Sequence, residues 1–183
     1  MKQTRHLLIA LALGTMLTSC GASVSTATVT GPAAYVDPYI GSGGHGHVFV
    51  GASVPFGAIQ AGPQNIHKGW DWCSGYHHSD SIVIGFAHTH LSGTGCTDMG
   101  DVQIMPYTGE LRSKRGRQED IGGSCSSYYS HDNESVSPGY YSLKMDNGVR
   151  IEMTASTRTA LHRITYPEAE GRRLLINLEE GNG

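Results

Sequence analysis

Read from its N-terminus, the chain gathers apolar residues into one long block at Leu7–Leu17, interrupted only by Gly14 and Thr15. Beyond that block no stretch repeats its apolar positions at helical spacing. They alternate instead, or come in short runs between turn residues, which is the mark of strands. Ser81–His88 (SIVIGFAH) predicts a buried strand and Val102–Tyr107 (VQIMPY) another that stops near Pro106. Tyr140–Met145 and Val149–Thr154 flank Asp146-Asn147-Gly148; an Asn-Gly between two strand-like runs predicts a hairpin, because tight hairpin turns need positive φ. Thr159–Tyr166 alternates up to Pro167, and Arg173–Leu178 predicts a last strand. Short strands at intervals of about ten residues predict an all-β sandwich or barrel.

The block at Leu7–Leu17 follows Lys2 and Arg5 and leads into Leu17-Thr18-Ser19-Cys20, with Gly21 next. Basic residues, a short apolar run and then small residues mark a secretory signal. The run is too short for a hydrocarbon core of roughly 30 Å, which takes about 20 helical residues. The tetrapeptide ending at Cys20 resembles the lipobox of bacterial lipoproteins. Residues 1–19 are therefore expected to be a lipoprotein signal peptide, with Cys20 the lipidated first residue of a protein anchored to a membrane rather than spanning it. An ordinary signal peptide with a coincidental cysteine is the alternative. Residues 20–34 carry nothing that could build a core and read as a flexible tether. About 150 residues remain, enough for one domain with one core. The far end runs from a strand into Gly181-Asn182-Gly183 with no polar tail, and is read as cut short.

Asp37–Asp101 differs from the rest: it is rich in Gly and His and nearly free of Lys and Arg. Glycine at this density means tight turns and close backbone approach. Disorder is excluded, because Phe49, Phe56, Ile59, Trp70, Trp72 and Tyr76 are interleaved with the glycines and disordered segments are poor in aromatics. Ordered loops of this kind on a rigid β scaffold are where binding residues sit. The formal net charge of −3 comes with no basic stripe, which argues against nucleic acid as a partner. Arg112, Lys114, Arg115 and Arg117 are flanked by Glu110, Glu119 and Asp120, a solvated loop. Apart from Cys20, the thiols are Cys73, Cys96 and Cys125; an oxidising compartment would allow one disulfide among them, and the sequence does not choose the pair.

Three motifs could carry chemistry. Gly41-Ser42-Gly43-Gly44-His45-Gly46-His47 lacks the following helix and the Lys of a phosphate cradle, so its backbone is better suited to approach a neutral ligand or another domain. Trp70-Asp71-Trp72 places indoles, whose faces stack on the C–H groups of sugar rings, beside a carboxylate that accepts from sugar hydroxyls. A core role for one of the two indoles is the alternative. His88 and His90 would share a face if their strand continues and could bind a transition metal with a third ligand from His45, His47, His77, His78, Asp98 or Asp101, although the spacing matches no strong metal signature. Acid–base hydrolysis needs two carboxyl groups flanking one bond. Asp37, Asp71, Asp80, Asp98 and Asp101 are available, and no spacing singles out a pair.

Tyr35-Val36-Asp37-Pro38-Tyr39-Ile40-Gly41-Ser42-Gly43, Pro55-Phe56-Gly57, the run Gly69–Asp80, Gly85–Gly95, Gly100-Asp101 and Ser137-Pro138-Gly139-Tyr140-Tyr141 occur in an order that resembles glycoside hydrolase family 92. Val50, where that pattern leads one to expect Pro, and the unfamiliar Cys96 are the departures. The resemblance spans Tyr35 to the C-terminus. It implies the N-terminal β-sandwich of a two-domain exo-α-mannosidase, residues 35–183, whose C-terminal (α/α)6 barrel is missing. It also implies a bacterial enzyme that is exported, held in the periplasm or at the outer membrane or cell surface, depends on Ca2+, and trims mannose from N-glycans or mannans with inversion. The acid, the base and the Ca2+ ligands would all belong to the barrel, so no catalytic or metal-binding residue is expected in this chain. The sandwich would supply one wall of the cleft, with Trp72 and Cys73 as contacts to mannose, Asp71 and Trp70 beside them, His88 and His90 shaping that wall, and Gly44 and His45 lying against the barrel or the sugar. A surface lectin working without a catalytic domain is the alternative.

Overall fold

The alternating pattern folds into facing β-layers in the computed structural model, which describes residues 29–93, 95–114, 121–168 and 170–178. The expected signal peptide, Cys20 and most of the expected tether lie outside the described residues, as do Thr94, residues 115–120, Ala169 and the terminal residues 179–183. Gly31–Tyr35, where the expected tether of residues 20–34 meets the expected domain, forms a 3-10 turn with proline in its first turn and no buried residue.

Eleven strands form among the described residues: β1 (Ala52–Ser53), β2 (Gln60–Gln64), β3 (Ile82–Val83), β4 (Gly85–Ala87), β5 (Gln103–Thr108), β6 (Ser127–Tyr128), β7 (Glu134–Ser137), β8 (Tyr140–Lys144), β9 (Arg150–Ala155), β10 (Ala160–Thr165) and β11 (Arg172–Asn177). One sheet runs β1-β2-β4-β5-β11 and the other β10-β9-β8-β7, while β3 and β6 pair as a small ribbon. The β8–β9 register sets Tyr141 opposite Met153 and Leu143 opposite Ile151. All four therefore project from one face, because side chains along a strand alternate. That face packs with Val50, Ala52, Ala61 and Phe86 of the first layer, the Phe86 ring centroid lying 6.4 Å from that of Tyr141. All of these residues are fully buried, and each large one stabilises the fold by about 1.5–3 kcal/mol relative to exposure.

The predicted hairpin is present: Met145 N–H donates to Val149 O at 2.9 Å, and Gly148 takes φ +84° in the turn. The strand predicted to stop near Pro106 continues through it to Thr108. Since β4 pairs with β5 only at Ile104, Pro106 sits where β5 has β11 alone beside it, a position that tolerates a missing N–H. Ser81–His88 is not one strand: Ile82–Val83 pairs with β6, while Gly85–Ala87 pairs with β2 and β5. The Gly- and His-rich segment also holds β1 and β2, the latter containing Gly62 and Pro63. Here the backbones crowd: a Cβ on Gly51 would lie 2.2 Å from Ala61 O, so a side chain there would push the two apart.

Two carboxylates secure the second sheet. Glu152 accepts from Arg163 Nε at 2.6 Å and Nη2 at 2.5 Å and from the Tyr140 hydroxyl at 2.7 Å, and the Arg163 hydrogen bonds take its pKa down to about 2. Glu134, whose side chain is wholly buried, accepts from Tyr76 Oη at 3.0 Å, Tyr141 Oη at 2.7 Å and His131 Nδ1 at 2.7 Å. Burial, reinforced by the Glu134 charge, pushes both tyrosine hydroxyls well up, so they stay protonated as donors. Nothing in the sequence pattern marks this cluster, because its members are scattered from Tyr76 to Tyr141.

Candidate functional site

The Gly- and aromatic-rich loops converge on the Trp70–Trp72 segment. Gly69, at φ +122°, turns the chain into a 3-10 turn over Trp70–Trp72. The turn is closed by Trp72 N–H to Gly69 O at 3.0 Å and Cys73 N–H to Trp70 O at 3.2 Å. Three residues per turn send consecutive side chains about 120° apart, so Trp70, Asp71 and Trp72 meet different neighbours.

Trp72 is held inward. Its Nε1–H donates to Asp80 Oδ2 at 2.9 Å, and His77 stacks on its ring with centroids 4.3 Å apart. The buried Asp80 is itself fixed: Oδ1 accepts from the backbone of Ser81 at 2.8 Å and Ile82 at 3.2 Å, and Oδ2 also pairs with Lys68 Nζ at 2.9 Å. Trp70 instead faces outward and is 59% exposed. Its ring meets His47 edge-on at 4.3 Å and His45 at 5.7 Å. Asp71 sits beside it, with Oδ1 engaged by His45 Nδ1 at 2.6 Å and His47 Nε2 at 3.2 Å. The hydrogen bond from His45 holds this carboxyl below the usual carboxylate range, so it is ionised near neutral pH. Cys73 is buried directly behind the turn, and burial pushes its thiol up.

The loop carrying His45 and His47 is part of the same unit. A Cβ on Gly46 would fall 2.0 Å from Gly41 O, so this loop closes only around glycine. His77, which stacks on Trp72, also bonds Gly44 O through Nε2 at 3.2 Å. A third segment joins them, with Gly93 N–H on His47 O at 2.8 Å and Phe49 N–H on Ser92 Oγ at 3.2 Å.

The structure thus brings Gly44, His45, Trp70, Asp71, Trp72 and Cys73 together. His90 lies behind them: buried and stacked on Phe49, it bonds Gln60 O through Nδ1 at 2.7 Å, and burial takes its pKa down to about 4. His88 turns elsewhere, to Val102 O at 2.5 Å and, between the two Nε2 atoms at 2.8 Å, to His162 on β10. The two histidines do not converge, because β4 ends at Ala87 before the period-two alternation can carry them to one face. Among the described residues no group of three or more His, Cys, Asp or Glu side chains could hold a metal ion. With Asp80 and one oxygen of Asp71 already occupied, these side chains do not fit a Ca2+ site. The sequence reading missed His47, Lys68, His77 and Asp80 as the residues that fix the turn; Asp80, eight positions beyond Trp72, has no periodic relation to it.

The profile described as Glycosyl hydrolase family 92 N-terminal domain matches residues 35–183. Among solved structures, the family GH92 α-mannosidase of Bacteroides thetaiotaomicron, also solved in complex with mannoimidazole, is similar at 40% identity and a TM-score of 0.78, over 82% of this chain and 20% of its own. A family GH92 inverting mannosidase of the same organism is similar at 25% identity and a TM-score of 0.64, over 81% of this chain and 20% of its own. An uncharacterized secreted glycosidase of Arthroderma benhamiae is 32% identical over 142 residues, 73% of this chain and 17% of its own length. The chain therefore spans about a fifth of the length of these relatives. An all-β sandwich with this motif order, matched along its length, belongs to glycoside hydrolase family 92 as that family's N-terminal domain.

Proposed function

We propose that the domain serves an exported, Ca2+-dependent exo-α-mannosidase that releases terminal mannose from N-glycans or mannans with inversion, and that its own part is one wall of the sugar cleft. The observation that carries this reading is the outward indole of Trp70 beside the ionised carboxylate of Asp71. A pyranose laid on that face presents slightly positive C–H groups to negative π density, while Asp71 accepts from its hydroxyls. Gly44 and His45 form the rim. Trp72, Cys73 and His90 support the wall from behind, and His88 braces the strand that leads to it. Mannosidase activity in relatives at 40% and 25% identity supports the substrate class. The secreted relative supports export, with anchorage through Cys20 in the periplasm or at the outer membrane.

Inversion needs an acid and a base roughly 6.5–9.5 Å apart across the scissile bond. We assign both, and the Ca2+ ligands, to the (α/α)6 domain. The exposed apolar side chains of Leu161, Leu174, Ile176 and Leu178, on and beside β10 and β11, support further polypeptide packing there. The test is an assay of residues 21–183 with an aryl α-mannoside and Ca2+. No turnover is expected; appreciable turnover overturns this division of labour. Tight calorimetric binding of mannobiose by the same chain would make it a lectin in its own right.

A further inference from the structure

Met99, Gly100 and Val102 take positive φ, at +64°, +84° and +50°. Glycine accepts such backbone freely, but a β-branched valine does so only at a steric cost. Contacts from the chain before it hold this turn. Gly100 N–H donates to Thr89 O at 2.9 Å, and Thr89 Oγ1 donates to Asp101 Oδ2 at 3.0 Å while accepting from Asp101 N–H at 2.9 Å. On the strained valine itself, Val102 O accepts from His88 Nδ1 at 2.5 Å. Behind His88 stands His162 of β10, Nε2 to Nε2 at 2.8 Å with the rings edge-on. The proton positions follow. A carbonyl only accepts, so His88 Nδ1 carries a hydrogen and the Nε2 of its neutral ring is bare. His162 Nε2 then carries the hydrogen between the rings, and its Nδ1 is bare and buried without a hydrogen-bond partner. A second proton, entering at either ring, ends as a hydrogen on that buried Nδ1 or sets donor against donor and parts the rings. From this geometry we infer that the His162–His88 pair is an acid-released latch, which holds the Met99–Val102 turn in left-handed backbone while both rings are neutral and lets it relax when one gains a proton. Burial, and then charge on His88, takes the His162 pKa down to about 4, as a latch closed only in its neutral form requires. Closure is therefore favoured above the ordinary imidazole value of about 6.5 and is lost as the pH falls toward 4. Among the described residues, the other charged groups here are engaged or turned away. Asp101 is held by Thr89, and Asp98 accepts from Met99 N–H at 2.8 Å. The register with β9 sets uncharged Met153 beside His162 and puts the paired Glu152 and Arg163 on the opposite face. From β2, Gln60 brings only its N–H, to His88 O. His90 remains, and charge on His88 lowers its pKa, so the two rings resist being charged together.

Long-range proton–nitrogen NMR of the whole chain at pH 7.5 reads the tautomers. His88 should carry its hydrogen on Nδ1 and His162 on Nε2, with a coupling between the two Nε2 nitrogens through that hydrogen. Hydrogen exchange at the Gly100 and Asp101 amides reads the latch. Their protection, corrected for the intrinsic rate, should fall by up to about thirtyfold from pH 7.5 to pH 5, the factor for a pKa that moves between 4 and 6.5 on release. His162→Gln places near Nε2 an amide N–H that does not titrate, and its oxygen can turn to accept when His88 gains a proton. Protection in this variant should be the same at both pH values. The opposite tautomer at His88, a parent turn equally protected at pH 5, or a His162→Gln turn as acid-sensitive as the parent overturns the inference. Each result concerns this turn alone and leaves the sugar reading untouched.

Discussion

Acid should loosen this fold through His90, and the size of the effect follows from its surroundings. Its ring is 2% exposed, Nδ1–H donates to Gln60 O, and Nε2 is buried without a hydrogen-bond partner. Burial holds its pKa at about 4, against an ordinary 6.5 in the unfolded chain. The folded state therefore binds fewer protons than the unfolded state between these values. The contribution is whole above pH 6.5 and is lost as the pH falls toward 4. Linkage puts the loss at about 2 kcal/mol by pH 5 and about 3 kcal/mol below pH 4, a large share of the roughly 5–15 kcal/mol of a typical domain. Urea unfolding followed by circular dichroism at pH 7.5 and pH 5 measures it. His90→Gln should begin less stable at pH 7.5, having lost its stacking on Phe49, yet lose about 2 kcal/mol less than the parent on going to pH 5. His162, also lowered to about 4 by burial, pushes in the same direction. A parent protein equally stable at the two pH values, or a variant with an undiminished acid loss, would show that His90 is not the group acid acts through.

Other substitutions probe other joints. Glu134→Gln keeps the size but weakens the acceptor for Tyr76, Tyr141 and His131, and should cost about 2–3 kcal/mol in the same unfolding assay. Glu152→Gln should cost stability near neutral pH, and the gap to the parent should close as the pH falls from 4.5 to about 2, because the lowered pKa of Glu152 makes its contribution one that acid removes. Gly95→Ala meets the Trp70 side chain, which can move; it should change Trp70 emission and quenching with little loss of stability. Gly51→Ala meets the Ala61 carbonyl, which cannot yield cheaply, and should be clearly destabilised in thermal melts.

Sequence patterning revealed the second sheet better than the first. In β8 and β9 the apolar Tyr141, Leu143, Ile151 and Met153 fall on the face that packs on the other layer, while Ser142 and the Arg163-paired Glu152 are buried on the opposite face; β10 alternates half-buried and exposed along its length. β2 and the split at Ile84 were illegible because Gly62, Pro63 and Gly85 answer to close backbone approach and to Gln103, not to a two-faced pattern. At the candidate site, Trp-Asp-Trp stood out by composition. Which indole faces outward did not, since that depends on Asp80 and His77 arriving from farther along the chain.

NMR of the indole N–H resonances decides whether Trp70 and Asp71 form an open sugar-stacking surface. Titration with methyl α-mannoside should shift the Trp70 resonance while leaving Trp72, bonded to Asp80, nearly still, and Asp71→Asn, which loses the charged acceptor, should weaken that shift without unfolding the domain. A Trp70 signal unmoved at the solubility limit of the sugar, or one moved equally by an unrelated polyol, would contradict it.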